Sequence, residues 1–152
     1  MKWTWATTKE DLIAALNEDI LHEVAMADDC VRRADSAPQQ NYALIRRRVA
    51  ACAAAALSNA TALAAEVLLL GGAPACTAPQ QLPKRRFAGS IEEYLGLARS
   101  AVMHYQSRLA MTERLGLTRL HELFADIVLN KQRHLAHAGL VAAAGLRPRQ
   151  LS

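Results

Sequence analysis

The clearest pattern of apolar positions lies in the last third of the chain. From Leu120 to Val141, apolar residues recur at alternating steps of four and three, which is the spacing of one face of an α-helix. This stripe consists of Leu120, Phe124, Ile127, Lys131, His134, Ala138 and Val141. Lys131 and His134 therefore interrupt an apolar face with two polar side chains one turn apart. We interpret this part of the helix as a candidate functional site in a helical core.

The same spacing predicts three further helices. Thr8 is a typical N-cap and is followed by acidic residues, so the first helix is predicted to begin there. Gly71-Gly72 is a typical left-handed helix stop, and Ser90 with Glu93 matches a capping box. The four predicted helices are Thr8–Asp35, Gln39–Leu70, Ser90–Gly116 and Thr118–Gly145.

Each of the first three helices has its own predicted interior stripe. The first stripe is Ile13, Leu16, Ile20, Glu23, Ala27 and Cys30. The second is Ile45, Val49, Cys52, Ala56, Asn59, Leu63, Glu66 and Leu70. The third is Ile91, Leu95, Ala98, Val102, Tyr105 and Leu109.

The lengths of the links predict the topology. Short links join the first helix to the second and the third to the fourth, so each pair is predicted to be an antiparallel hairpin. The segment 71–89 between the hairpins contains three prolines and is long enough to cross the length of a bundle. We therefore predict an all-α, antiparallel four-helix bundle in a single domain, residues 1–152. Residues 1–7 form a short arm with Trp3 and Trp5, and 146–152 a polar tail.

Composition adds limits on compartment and partners. The formal charge is +4 and the pI about 9.3, so nucleic-acid binding is open, although the consecutive residues Arg46-Arg47-Arg48 fall on different helix faces. The three cysteines (Cys30, Cys52 and Cys76) lack metal or disulfide spacing. The N-terminus has no secretory pattern, and the apolar run Val49–Leu57 is too short for a bilayer. We expect a cytoplasmic protein that does not bind membranes.

The order and spacing of these elements resemble the ferritin-like superfamily, and bacterioferritins in particular. Three stretches carry the resemblance: LIAALNEDILHE in the first helix, LAAEVLLLGGAP at the end of the second, and LFADIVLNKQRHLAHA in the fourth. Such bundles hold two metal ions through a Glu from each of two helices and a Glu-x-x-His pair from each of the other two. The resemblance also implies a ferritin-like crossover between the hairpins.

Transferred by position, this motif implies a largely lost dimetal centre. Glu23 matches the ligand of the first helix, and His134 matches the histidine of the fourth. The remaining ligand positions hold Ala56 and Asn59 in the second helix, Ala98 or Val102 in the third, and Lys131 in the fourth. Leu57 stands where bacterioferritins have a haem-binding methionine. We therefore expect no cofactor, with iron as the alternative.

The lysine suggests how such a centre would be stabilised without metal. We predict that the Lys131 ammonium forms a core ion pair with Glu23, and that Asn59 and His134 complete the hydrogen bonds. The function predicted first is a structural, assembly or interaction subunit of a homo-oligomer, without ferroxidase activity. The second is a metal-binding oxidoreductase or iron-storage protein that uses Glu23 and His134 with Asp19, Asp126 or Glu66. The third is a DNA-associated mini-ferritin relative.

Overall fold

The computed structural model describes residues 8–35, 42–75 and 91–145, and all four predicted helices are present. The bounds are Lys9–Asp35 for α1, Tyr42–Leu69 for α2, Ile91–Leu115 for α3 and Thr118–Gly145 for α4. The predicted helix limits are thus confirmed to within a few residues. Trp3, Trp5, Cys76 and the predicted cap at Ser90 lie outside the described residues.

The start of α1 and the ends of α2 and α3 each have a local cause in the sequence. The Thr8 Oγ1 atom accepts a hydrogen bond from the Asp11 amide at 3.1 Å, and the Thr8 amide donates to Asp11 Oδ2 at 3.2 Å. This reciprocal cap satisfies two amides that have no partner inside α1. The end of α2 lies near the start of α1, and α2 stops because Gly71 adopts a positive φ of 79°.

The stops after α2 and α3 have the same geometry. After α2, the amides of Gly71 and Gly72 donate back to the carbonyls of Leu68 and Val67 at 2.9 and 3.0 Å. After α3, Gly116 has a φ of 67°, and its amide donates to the Glu113 carbonyl at 3.2 Å. Both are Schellman motifs, in which glycine adopts the left-handed conformation at little steric cost. The predicted stops at Gly71 and Gly116 are confirmed.

The chain separates into two compact units. Unit 1 comprises residues 1–36 and 49–86, and unit 2 comprises residues 37–48 and 87–152. The single domain expected from the sequence remains a prediction.

In unit 1, α1 holds the segment that leaves α2. The Asn17 side chain donates to the Ala73 carbonyl at 3.0 Å and accepts from the Ala75 amide at 2.7 Å. Gly72 packs so closely that an added Cβ would lie 2.9 Å from Cγ2 of Ile13. These contacts determine where the crossover segment begins.

The core of unit 1 is built from small and aliphatic side chains. Its buried apolar residues are Leu12, Leu16, Ile20, Ala27, Cys30, Ala53, Ala56, Ala60, Leu63 and Val67. The stripe predicted for α1 is mostly confirmed, although Ile13 is half-buried and Leu12 is buried instead. For α2 the stripe was partly wrong: Cys52, Glu66 and Leu70 are half-buried, and Ala53, Ala60 and Val67 replace them. Alanines on all sides of α2 left the direction of its interior face undetermined.

The core of unit 2 contains larger side chains. Its buried apolar residues are Ala98, Val102, Tyr105, Met111, Leu120, Phe124, Ile127, Val128 and Ala138. All predicted α4 positions from Leu120 to Ala138 are buried, including Lys131 and His134. In α3, Ala98, Val102 and Tyr105 are confirmed, whereas Leu95 and Leu109 are half-buried. The side chains of Ile45, Val49, Ile91 and Val141 lie outside the described residues.

One helix of the described residues differs from the expectation about membranes. Ala50–Leu69 is long and apolar enough to cross a bilayer by length and composition. The uninterrupted apolar run Val49–Leu57 is shorter than this segment, because Ser58, Asn59 and Thr61 interrupt the run without adding charge. The core helix of a soluble protein passes the same test.

Candidate functional site

Glu23, the carboxylate that matches a metal ligand in the resemblance, is 1% exposed in the interior of unit 1. It lies on α1, and the Nδ2 atom of Asn59 on α2 donates a hydrogen bond to its Oε2 atom at 3.5 Å. Asn59 is itself 6% exposed. Thus Asn59, which stands where the family has a histidine ligand, supplies a neutral donor to the carboxylate. This hydrogen bond is the one expected from the sequence, and the role of Asn59 in completing a pair of Glu23 with Lys131 stays a prediction.

A second carboxylate is buried on the same helix. Asp19 lies four residues before Glu23, hence on the same face, and has no exposed surface. The predicted interior stripe omitted it because Ile20 is apolar. Read from Leu12 instead of Ile13, the spacing of four and three passes through Leu16, Asp19 and Glu23, and this signal would have found it. The interior of unit 1 therefore contains two acids.

Unit 2 buries Lys131, which is 4% exposed. The Lys131 Nζ atom lies 5.8 Å from the centre of the Tyr105 ring, within the range of a cation–π interaction. Tyr105 is itself 2% exposed, and its ring centre lies 6.0 Å from that of Phe124 at a tilted angle. A buried ammonium is thus held against an aromatic face, an environment that stabilises positive charge.

Two more basic residues are buried in unit 2. His134, one turn after Lys131 on α4, and Arg108, one turn after Tyr105 on α3, are 7% and 6% exposed. His134 was predicted to face the interior. Arg108 was missed because the predicted α3 stripe continued to Leu109, and an arginine is rarely assigned to a core position.

The other positions predicted for the site differ in their exposure. Ala56, Ala98 and Val102, which occupy three positions implied by the family motif, are buried and offer no ligand atom. Among the acids of the alternative metal site, Asp126 is exposed and Glu66 is half-buried, so only Asp19 lies in a core. His137, one turn after His134 on α4, is also exposed. Leu57, the position of the haem-binding methionine in bacterioferritins, is 51% exposed.

A network of another kind lies at the α3–α4 turn of unit 2. The Thr112 hydroxyl donates to the Leu109 carbonyl at 2.9 Å, and His121 Nδ1 lies 3.3 Å from both the hydroxyl and that carbonyl. Thr112 is fully buried and His121 is half-buried. These contacts join the two helices near Gly116, and we infer that they stabilise the α3–α4 hairpin.

The sign of the buried charge differs between the units. Among the described residues, the buried Asp, Glu, Lys, Arg and His side chains of unit 1 are the acids Asp19 and Glu23. Those of unit 2 are the bases Arg108, Lys131 and His134. Moving a charged side chain out of water is costly unless an opposite charge or several hydrogen bonds compensate for it. Whether Glu23 pairs with Lys131 stays a prediction, because the two residues belong to different units.

Solved structures with similar coordinates identify the fold class. No family model and no curated protein matches the sequence. The chain is similar in structure to Dps from Thermosynechococcus elongatus, with a TM-score of 0.78, 15% identity, and coverage of 95% of this chain and 96% of that one. It is also similar to the dodecameric thioferritin of Bacteroides fragilis, a bacterioferritin-related protein. Their TM-score is 0.77 at 16% identity, over 95% and 93% of the two chains.

A third similar structure is a ferritin-like, diiron-carboxylate protein from Bacillus anthracis str. Ames. The TM-score is 0.74 at 19% identity, and the match covers 88% of this chain and 96% of the other. These similarities establish an all-α fold of the four-helix, ferritin-like type. At this level of identity they concern the fold, and the fold predicted from the sequence is confirmed.

Proposed function

We propose that this chain is a ferritin-like protein in which charged side chains have replaced the dimetal centre. It acts as a structural, assembly or interaction subunit without ferroxidase activity. The observation that supports this most strongly is the pair of opposite buried charge types, two carboxylates in unit 1 and the cations Arg108 and Lys131 in unit 2. In a dimetal bundle, carboxylates from all four helices neutralise two divalent cations. Here the protein carries its own cations.

The ligand types support the same proposal. The positions where the motif requires carboxylates hold Ala56 on α2, Ala98 or Val102 on α3, and Lys131 on α4. An ammonium at a ligand position both removes a donor atom and repels a metal ion. The proposed ion pair of Lys131 with Glu23 would compensate the carboxylate, which already accepts a hydrogen bond from Asn59.

Oligomerisation is part of the proposal. One structurally similar protein is dodecameric, and the Dps and bacterioferritin-related proteins together support a homo-oligomer for this chain. We propose a soluble, cytoplasmic assembly of identical copies. The number of copies is left open, and binding to DNA remains a prediction.

Metal analysis of the purified protein tests the proposal directly. The protein is prepared without chelators, incubated with Fe²⁺ and dialysed, and iron per chain is measured by mass spectrometry. We expect no stoichiometric iron and no acceleration of iron oxidation. The matched variant Ala56→Glu/Asn59→His/Lys131→Glu restores the Glu-x-x-His pairs on α2 and α4, and we expect it to retain iron. Stoichiometric iron in the unmodified protein would overturn the proposal.

The burial of Asp19 favours one alternative, a remodelled metal site. Asp19 and Glu23 on one face of α1 would together supply two carboxylates, and His134 an imidazole. Oxygen and imidazole donors suit iron and manganese. This alternative predicts iron that survives dialysis in the unmodified protein and is lost in Asp19→Asn. Lys131→Met would then strengthen iron binding by removing a positive charge.

A further inference from the structure

Two cysteines lie in unit 1, one on each helix of the hairpin. Cys30 on α1 is 1% exposed, whereas Cys52 on α2 is half-buried. Both side chains are in the thiol form. Neither belongs to the buried charged groups on which the proposed function rests, so their chemistry is a separate question.

Contacts within unit 1 establish how α1 and α2 are aligned. Gly72, just after the end of α2, packs against Ile13 near the start of α1. Further along α1, Glu23 Oε2 lies 3.5 Å from Nδ2 of Asn59. As the position advances along α1, the contacting position moves back along α2. The two helices are therefore antiparallel, and the contact of Glu23 with Asn59 defines their register.

This register places the two cysteines opposite each other. Cys30 comes seven residues after Glu23 on α1, and Cys52 comes seven residues before Asn59 on α2. Because seven residues are close to two full helical turns, each cysteine returns to the side of its helix from which Glu23 or Asn59 projects. Both cysteines also lie the same distance along the hairpin from that contact. The two thiols therefore face each other at one level.

Small side chains surround the cysteines and allow the helices to approach closely. Ala27, one turn from Cys30, and Ala56, one turn from Cys52, are 5% and 1% exposed, and the neighbouring Ala53 is 8% exposed. Helix axes in contact are about 8–10 Å apart, so facing Cα atoms on them are separated by roughly 3.5–5.5 Å. A disulfide needs a Cα separation of about 4.4–6.8 Å, and the two ranges overlap.

We propose that Cys30 and Cys52 form a redox-active dithiol site that reacts with small disulfides, and that its oxidised form is a disulfide bond between α1 and α2. The spacing of the cysteines along the chain does not indicate this pair, because spacing rules concern cysteines within one local segment. In a cytoplasmic protein such a bond is typically transient and either catalytic or redox-sensing. The proposal does not depend on whether the dimetal centre is lost.

The different exposure of the two thiols determines the order of the reaction. Cys52 is half-buried, so a small disulfide reaches it first. The Cys52 thiolate attacks one sulfur of the reagent, the reagent S–S bond breaks, and one small thiolate leaves. The Cys30 thiolate then attacks the Cys52 sulfur of the mixed disulfide, and the second small thiolate leaves. The two protons lost by the cysteines end on the two small thiols, so the protein is oxidised and the reagent is reduced.

Oxidation by glutathione disulfide tests the site. The parent is the full chain with Cys76→Ser, because it retains Cys30 and Cys52 as its two cysteines. The reduced protein is incubated with the reagent and EDTA, quenched with acid and analysed by mass spectrometry. We expect the chain to lose two hydrogen atoms without retaining glutathione, and a tryptic digest to contain the two cysteine peptides joined. Half-oxidation of the folded chain should require less glutathione disulfide, by about tenfold or more, than that of the same chain in urea, because folding raises the effective concentration of one thiol at the other.

A matched variant keeps two thiols but moves one of them. Ala51→Cys combined with Cys52→Ser, in the same parent, shifts the thiol by about 100° around α2 to an exposed position. We expect this variant to accumulate mixed disulfides with glutathione, and circular dichroism checks that it is folded. The site would be overturned by a parent that stays reduced or retains glutathione on both cysteines. Equally ready closure of the bond in the Ala51→Cys variant, or in the unfolded parent, would also overturn it.

Discussion

Both units bury charged side chains in their cores, but the buried charges have opposite signs. Unit 1 buries the carboxylates Asp19 and Glu23 among small residues, where Asn59 offers an amide donor. Unit 2 buries Lys131 against the face of Tyr105, next to Phe124. Each unit therefore offers the kind of partner that suits its own charge: N–H donors for anions, and an aromatic ring for a cation.

The difference bears on the proposed loss of the dimetal centre. Removing two divalent cations from a carboxylate core would leave excess negative charge, and simple deletion of ligands would remove the acids everywhere. Here acids are buried in unit 1 and bases in unit 2. This arrangement is expected when charge neutrality of the interior is maintained by side chains. Four predictions beyond the metal test compare the two units.

The largest effect is expected from removing the Lys131 cation. Under the proposed pairing, Lys131→Ala removes the charge partner of Glu23, and loss of one member of such a pair costs about 3–5 kcal/mol. The free energy of unfolding is measured by urea denaturation followed by circular dichroism. Gln132→Ala, at the exposed neighbour on α4, is the control and should change stability by less than about 0.5 kcal/mol.

Removing both charges distinguishes pairing from simple packing. Because apolar residues of similar volume often replace a buried ion pair without loss, Glu23→Leu combined with Lys131→Met should be as stable as the unmodified protein or more stable. Each single change should be destabilising. If Lys131→Ala unfolded at the same urea concentration as the parent protein, the lysine would have no structural role in the core and the comparison of the units would fail.

A smaller effect is expected at the aromatic partner of the lysine. Tyr105→Leu removes the cation–π contact and the ring pair with Phe124, which together correspond to about 1–3 kcal/mol. Tyr105→Phe keeps the ring and should cost less than half as much. In a Lys131→Met background the cost of Tyr105→Leu should fall, since no cation is left to stabilise. Equal costs in the two backgrounds would show that the ring acts only by filling space.

The helices and their ends could be predicted because each depends on local chemistry. Thr8 caps α1 through its own hydroxyl, and Gly71 and Gly116 stop their helices through a positive φ. The α4 stripe could also be predicted. One face of this helix carries large apolar residues and the other carries charged residues, so only the apolar face is expected to point to the core. Lys131 in that stripe was therefore recognisable from spacing alone.

The parts that could not be predicted depend on packing between helices. Alanines occur on nearly every face of α2 between Ala50 and Ala65. The apolar pattern of this helix therefore fits several rotations of α2 about its own axis. The burial of Asp19 and Arg108 depends on neighbours that compensate their charge, and a sequence does not identify such neighbours. For the same reason the proposed pairing of Glu23 with Lys131 requires experiments such as those above.

The smallest effect is expected from substitutions at the glycines that end α2 and α3. These substitutions test whether the two units differ outside their polar interiors. Gly71 in unit 1 and Gly116 in unit 2 end their helices at φ values of 79° and 67°. An added Cβ at Gly116 would meet nothing within 4 Å, and at Gly71 only the Lys9 Nζ atom at 3.8 Å. Steric clashes with neighbours are thus absent at both positions, and only the cost of the left-handed backbone remains.

Gly71→Ala and Gly116→Ala should therefore each destabilise the protein by about 1–2 kcal/mol, and the two costs should agree within the error of urea denaturation. Gly139→Ala on α4, where an added Cβ also meets nothing within 4 Å, serves as the control. It should be neutral or slightly stabilising, because alanine favours helix. A clearly larger cost at one stop would mean that this turn is under an additional constraint, and the contrast between the units would then extend beyond their buried charges.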